Sequence, residues 1–196
     1  MSVGLLRVLA DSNVLYSRTL RDWLALLYLA PGGGGLFEVV WTEDIMAEVL
    51  YHLRKNNPFL DDEQVGGVRR RLAAVFATGL ITGYQIDSST GYPDVYDAHV
   101  HCAAVHGRAD IIVTGNVRDF TGMDEQPYEV YSPDDFFVLV DDSAPETVLS
   151  ALRTQLRYYR EKGGRFSLPE QLRTANAPQF AERVRQHMHR IDINTI

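Results

Sequence analysis

The chain has 196 residues, 45% of them hydrophobic and 23% charged, with a net charge of -7, which is enough length and apolar content for one compact core and a helical appendage. A single cysteine, Cys102, excludes an internal disulfide and any Cys-rich zinc site, and is read as a small buried hydrophobe. No stretch approaches the roughly 20 apolar residues of a membrane span, and Leu5 to Ala10 is too short for a signal-peptide core, so a cytoplasmic protein without membrane contact is expected.

The charge is unevenly spread: residues 1–149 carry 10 Lys and Arg against 22 Asp and Glu, residues 150–196 carry 9 against 4. An acidic body with a basic tail suits a site that gathers divalent cations beside a surface that attracts phosphates, although two ordinary solvated surfaces would give the same count.

Five short apolar runs rich in β-branched residues alternate with helical patterns, which predicts an α/β domain with a mostly parallel sheet: Leu5–Ala10, Phe37–Trp41, Ile81–Ile86, Ile111–Thr114 and Tyr128–Tyr131. The first and fourth runs show little polar alternation, as expected of central strands covered on both faces. Acids placed just after such strands are functional candidates, because sites in open parallel sheets form at the carboxyl ends of the strands. Asp11-Ser12-Asn13 follows the first run; Asp11 there is either an inward-facing acid or a helix N-cap.

A first helix is expected at 17–29, ending before Pro31 and the glycines of 32–35, which lack the Gly-Lys-Ser/Thr that a phosphate-binding loop requires. After the second run, Thr42 is expected to cap a helix in which Glu43 and Asp44 are first-turn charges and Glu48 borders the apolar face of Ile45, Val49 and His52. Arg69, Arg70 and Arg71 are candidate phosphate contacts, as are Arg118, Arg153, Arg157 and Arg160. A further helix is predicted from Asp94 to about Gly107, with Asp94, Asp97, His101 and Ala104 on one face. Asp94 could serve only as its cap, whereas Asp97, one turn inside, is harder to explain that way. In Thr114-Gly115-Asn116-Val117-Arg118-Asp119 one loop can aim several oxygens at a point, with Asp119 as the acid and Thr114 and Asn116 orienting a ligand or water.

Beyond Tyr131 three helix starts are read at Ser143-x-x-Glu146, Ser167-x-x-Glu170 and Asn176-x-x-Gln179. The first helix would bury Val148, Leu149, Leu152, Leu156 and Tyr159 and stop at Gly163-Gly164; the last would run from Pro178 to Ile191 with Phe180, Val184, Met188 and Ile191 on one face. Domain boundaries are expected at 1–135 for the α/β body and 136–196 for a helical C-terminal extension.

The blocks DSNVL at 11–15, EDIMAEVL at 43–50, DAHVHCAA at 97–104 and ADIIVTGNVRDF at 109–120 together resemble the PIN-domain ribonucleases, including the VapC-type toxins of bacterial toxin–antitoxin pairs. The resemblance covers roughly the first 135 residues. It implies a Rossmann-like sheet and an endoribonuclease dependent on Mg²⁺ or Mn²⁺, giving 5′-phosphate and 3′-hydroxyl products. It maps Asp11, Glu48, Asp97 and Asp119 as catalytic metal-binding acids; beside that mapping, Asp94 and Asn116 stand as nearby substitutes for Asp119 as a ligand. Asn13, Thr114 and Asn116 are implied as supporting polar groups, and an antitoxin as a partner beside the RNA substrate; a homodimer is also open.

Hard divalent ions suit such an oxygen donor set. Two carboxylates about 5 Å apart repel by roughly 3 kcal/mol at an effective dielectric near 20, so a cluster needs cations to offset it. An aspartate-nucleophile phosphatase would want an acid where Asn13 stands and a lysine after a strand, and neither Lys55 nor Lys162 is so placed. A zinc site fails because His99 and His101, like His187 and His189, stand about 200° apart on a helix; these are read as surface or partly buried side chains, with His101 available to orient a carboxylate or contact substrate. A catalytically silent binding module of the same fold has no reason to keep four mutually repelling acids.

Overall fold

A computed structural model describes residues 5–89, 91–120, 126–163 and 166–191; Gly164, half of the expected helix stop, lies outside them. The first half of the chain forms β1 (Leu6–Ala10), α1 (Ser12–Tyr16), α2 (Arg18–Leu29), β2 (Phe37–Val40), α3 (Glu43–Asn56) and α4 (Asp62–Val75). The second half forms α5 (Ala98–His106), β3 (Ile111–Val113), β4 (Glu129–Tyr131), α6 (Pro133–Ser143), α7 (Pro145–Lys162), α8 (Leu168–Thr174) and α9 (Pro178–Met188). These elements fall into two units. One comprises residues up to 16 and 35–132; the other comprises 17–34 and the chain from 133 onward.

The first unit is built on a four-stranded parallel sheet flanked by helices, in the order β2-β1-β3-β4. The expected α/β class with a parallel sheet and C-terminal helices is therefore what the chain adopts. Val8, Leu9, Ala10, Ile112 and Val113 are fully buried, as two covered faces require. Because β1 is flanked by β2 on one side and β3 on the other, the crevice at the carboxyl ends of β1 and β3 is the switch point of the sheet. Thr42 caps α3 by accepting from the Ile45 N–H at 3.1 Å, and Ile45, Met46, Val49 and Leu53 form its buried stripe.

The expected strand at Ile81–Ile86 does not form. Only Leu80 bridges to Trp41, through bonds from Trp41 N to Gly79 O and from Ile81 N to Trp41 O. Gly79 makes that approach possible, since a Cβ there would lie 1.9 Å from the Val39 carbonyl oxygen. Gly83, at φ +77°, then takes a left-handed conformation that turns the chain from an extended path. Helix α4 has no counterpart among the expected elements because paired glycines at 66 and 67 weaken its pattern, and a reciprocal capping box between Asp61 and Gln64 starts it.

The second unit is helical. Its core joins Leu20, Trp23, Leu24 and Leu27 of α2 with Val148, Leu149 and Leu152 of α7, and Phe180 of α9 meets the rings of Trp23 and Phe137 at 5.0 and 5.1 Å. Of the three expected helix starts, Ser167 caps α8 as read. Ser143 instead ends α6, and α7 begins with Pro145 at its first turn, where a proline's missing N–H is harmless. Asn176 adopts φ +59° and does not cap α9. That role falls to Asp134 of α6, which accepts from the N–H groups of Gln179 at 3.0 Å and Phe180 at 2.8 Å. On α9 the buried face is Phe180, Ala181, Val184 and His187, so His187 is a core residue rather than a surface one. Gly163, at φ +66°, follows α7.

Candidate metal centre

The sheet's switch point is closed by a hydrogen-bonded floor. Asp11, only 2% exposed, continues the β1 ladder through its N–H to Val113 O. Its Oδ1 accepts from the Ser12 N–H at 2.5 Å, and its Oδ2 accepts from Asn13 Nδ2 and from Thr114 Oγ1, each at 2.6 Å. Asn13 also donates to Thr114 Oγ1 at 3.1 Å and accepts from the Gly115 N–H at 2.9 Å, while the Asn116 N–H donates to Thr114 Oγ1 at 3.0 Å. Asp11 stands where a cap of α1 would stand, yet its carboxylate binds the loop after β3. Burial pushes the Asp11 carboxyl above its ordinary range despite the bonds from Thr114 and Ser12, and Glu48 adds to the rise.

Glu48, at the half-buried border of α3, has a different environment. Burial acts to raise it, but hydrogen bonds from His99 and Ser12 and the charges of His99 and His52 hold it below the usual range. The His99 Nε2 to Glu48 Oε1 distance is 2.9 Å. Burial lowers His99 and the Glu48 carboxylate overcomes that, leaving it raised. The other ring nitrogen, Nδ1, is buried without a hydrogen-bond partner, so the Glu48 contact fixes the ring.

The remaining acids come from two 3₁₀ turns. Asp94 caps the turn Val95–Asp97 by accepting from the Tyr96 N–H at 2.9 Å, and Asp119 lies in the turn Val117–Phe120. Asp97 is thus not one turn inside an α-helix: it occupies the cap position of α5, and its side chain makes no cap bond. Asp94, Asp97 and Asp119 each offer a carboxylate oxygen within 4.8 Å of the others. Burial first, then the charges of Asp11, Asp94, Asp119 and Glu48, raise Asp97 to about 6. Four carboxylates, from Asp11, Glu48, Asp94 and Asp119, therefore act on Asp97.

Among the expected site residues, Asp11, Asn13 and Thr114 share one hydrogen-bonded floor; Asp94, Asp97 and Asp119 form the tightest acid group, and Glu48 reaches both through its charge. Asn116 and Arg118 are exposed on the chain between Thr114 and Asp119. Glu43 pairs with Arg69 and Asp44 accepts from the Tyr84 hydroxyl, and both stand in the first turn of α3 as expected. His101 does not orient a carboxylate: its Nδ1 lies 2.5 Å from the Tyr128 hydroxyl, and its ring packs edge-on against Tyr92 and Tyr128. Sequence reasoning missed His99 and Ser12. A helical wheel drawn from Asp97 sends His99 to the opposite side, and the 3₁₀ turn that ends at Asp97 breaks that wheel. Ser12 was visible only as the middle of Asp-Ser-Asn.

The donor set of Asp94, Asp97 and Asp119 is entirely oxygen and half-buried, which fits a hard divalent cation. The sequence profile of a family described as PIN domain matches residues 7–118, a span that includes Asp11, Glu48, Asp94 and Asp97. No curated protein and no solved structure matches the chain.

Proposed function

The chain belongs to the PIN-domain family, whose members are typically nucleases, and from that premise we propose that it is an endoribonuclease dependent on Mg²⁺ or Mn²⁺. The observation that carries the reading is the convergence of Asp94, Asp97 and Asp119, whose carboxylate oxygens lie within 4.8 Å of one another, and carboxylates from separate segments help raise Asp97 to about 6; bound cations would relieve that repulsion. Asp11, Glu48, Asp97 and Asp119 would hold the ions, with Asp94 as a further ligand and Asn116 near enough in the chain to assist. When bound, one or two such ions lower the pKa of a water for attack on a phosphodiester and neutralise charge on the leaving oxygen.

The chain's own residues set that chemistry up. Ser12, Asn13 and Thr114 lock the Asp11 carboxylate in one orientation, and His99 fixes Glu48, so the acids need little reorganisation when charge develops. Arg118, exposed beside Asp119, would contact a substrate phosphate, and Asn116 would orient a ligand or water. The family resemblance supports a VapC-type role with a protein antitoxin as partner, and 5′-phosphate products. Among the described residues no helix is long and apolar enough to cross a membrane.

The test is cleavage of a panel of structured RNAs with Mg²⁺, with Mn²⁺ and with chelator, using Asp11→Asn as control. Metal-dependent cleavage by the parent, and none by the variant, is expected. Cleavage that survives chelation would overturn the metal assignment.

A further inference from the structure

The arginines that the sequence offers for phosphate contact are already engaged in part: Arg69 pairs with Glu43 and Arg70 with Glu63. The face of α3 that carries Glu48 is different. Glu48, Tyr51, His52 and Lys55 follow the i, i+3, i+4, i+7 spacing of one helix face. His52 is close enough to act on the Glu48 carboxylate. Its ring lies 5.2 Å from that of Tyr51 and 5.9 Å from that of Tyr16, whose hydroxyl accepts from Asn56 at 3.0 Å. The Lys55 ammonium stands 5.5 Å over the Tyr51 ring, and among the described residues no carboxylate pairs with it.

Beyond Lys55 the chain presents Phe59 with 99% of its surface in water, and Tyr51 is 58% exposed. Arg54 holds the loop of Phe59 by donating to the carbonyls of Pro58 and Leu60. Exposed rings interleaved with a cation, leading away from an acid cluster, have the composition of a single-strand track: every base has a face to stack, and a cation meets the backbone. Lys55 lies about 10 Å along the helix axis from Glu48, beyond the acids that would repel a phosphate.

We propose that this face of α3 carries the single-stranded RNA flanking the cleaved bond, with bases stacked on Tyr51 and His52, a phosphate on Lys55, and Phe59 as the far step. The proposal rests on the ribonuclease reading, and single strands are required because paired bases have no free face.

Binding is measured with the full chain in an Asp11→Asn background, in Mg²⁺, using a labelled mixed-sequence single-stranded RNA. Tyr51→Ala should raise Kd by roughly tenfold, while Tyr51→Trp keeps it near the parent value. Abasic nucleotides in the probe should erase the difference between Tyr51 and Tyr51→Ala. Lys55→Ala should reduce the slope of log K against log salt by about 0.7. Absence of RNA binding, or equal binding by Tyr51→Ala, overturns the track, as does a Tyr51→Ala variant that keeps RNA but sheds a co-purifying protein. Parallel cleavage by the chain with Asp11 intact separates the two ideas: Tyr51-dependent binding without any cleavage leaves the track standing and removes the nuclease reading.

Discussion

Asp11 and Asp141 are buried alike, at 2% and 4% exposure, but in unlike company. In the helical unit, Asp141 receives the His187 imidazole at 2.6 Å and the Arg183 guanidinium at 3.3 Å, and Asp134 receives two backbone N–H groups. In the sheet unit, the donors to Asp11 are a backbone amide, a carboxamide and a hydroxyl, all neutral, and the nearest charges include Glu48 and Asp97. One set of acids is matched by the protein itself and belongs to its stability. In the sheet unit Glu48 has a histidine partner, His99, whereas Asp11 and Asp97 are raised with neighbouring carboxylates contributing. Burial alone does not separate the two; the sign of the surrounding charge does.

The largest effect expected from that difference is on chemistry. Asp97→Asn should lower RNA cleavage by at least about 100-fold, the scale of removing one preorganised electrostatic group, without lowering the melting temperature of the metal-free protein. A variant that cleaves like the parent would place Asp97 among the structural acids and break the comparison.

The reverse pattern is expected for Asp141→Ala, which leaves the buried His187 imidazole without its carboxylate, while the half-exposed Arg183 keeps Asp142. Removing one partner of a buried pair costs about 3 kcal/mol, or roughly 6–12 °C for a chain of this size. Asp134→Ala should cost less, about 1–2 kcal/mol, as the loss of a helix cap. Denaturation of each variant checks the order, and a melting temperature unchanged in Asp141→Ala would show that the pair contributes no net stability.

The sheet unit was far more legible in sequence than the helical one, and the reason is local. Leu5–Ala10 and Ile111–Val113 are apolar runs that end in acids or polar turns, so strand, direction and site can all be read from neighbouring residues. Asp134 capping α9 joins positions 45 and 46 apart, and no local signal marks it; Asn176 and Ser143 fit a cap pattern, but Ser143 ends α6 and Asn176 takes a left-handed conformation. The same limit hid His99, whose partner Glu48 is 51 residues away. Asp94 was legible as a cap, which it is, but its membership of the tightest acid group depends on a 3₁₀ turn that helical periodicity does not express.

The smallest effect is a pH dependence of the metal-free chain. Asp97 titrates near 3.8 when unfolded and is raised to about 6 when folded, so between those values the native state binds more protons than the unfolded one. Stability from this group is then full below about pH 4 and lost as pH rises through 6. Solvent screening at a half-exposed site reduces the loss to the order of 1 kcal/mol. Asp11, also raised, acts with the same sign, and Glu48, lowered, acts with the opposite one, so the total slope is a mixture. The difference between the parent and Asp97→Asn isolates Asp97. In chelator the parent should lose more stability than the variant from pH 4 to 7, and Mg²⁺ should narrow the gap by taking the place of the proton. Parallel curves in chelator would mean that Asp97 does not sit in an uncompensated field, and the contrast with Asp141 would then rest on geometry alone.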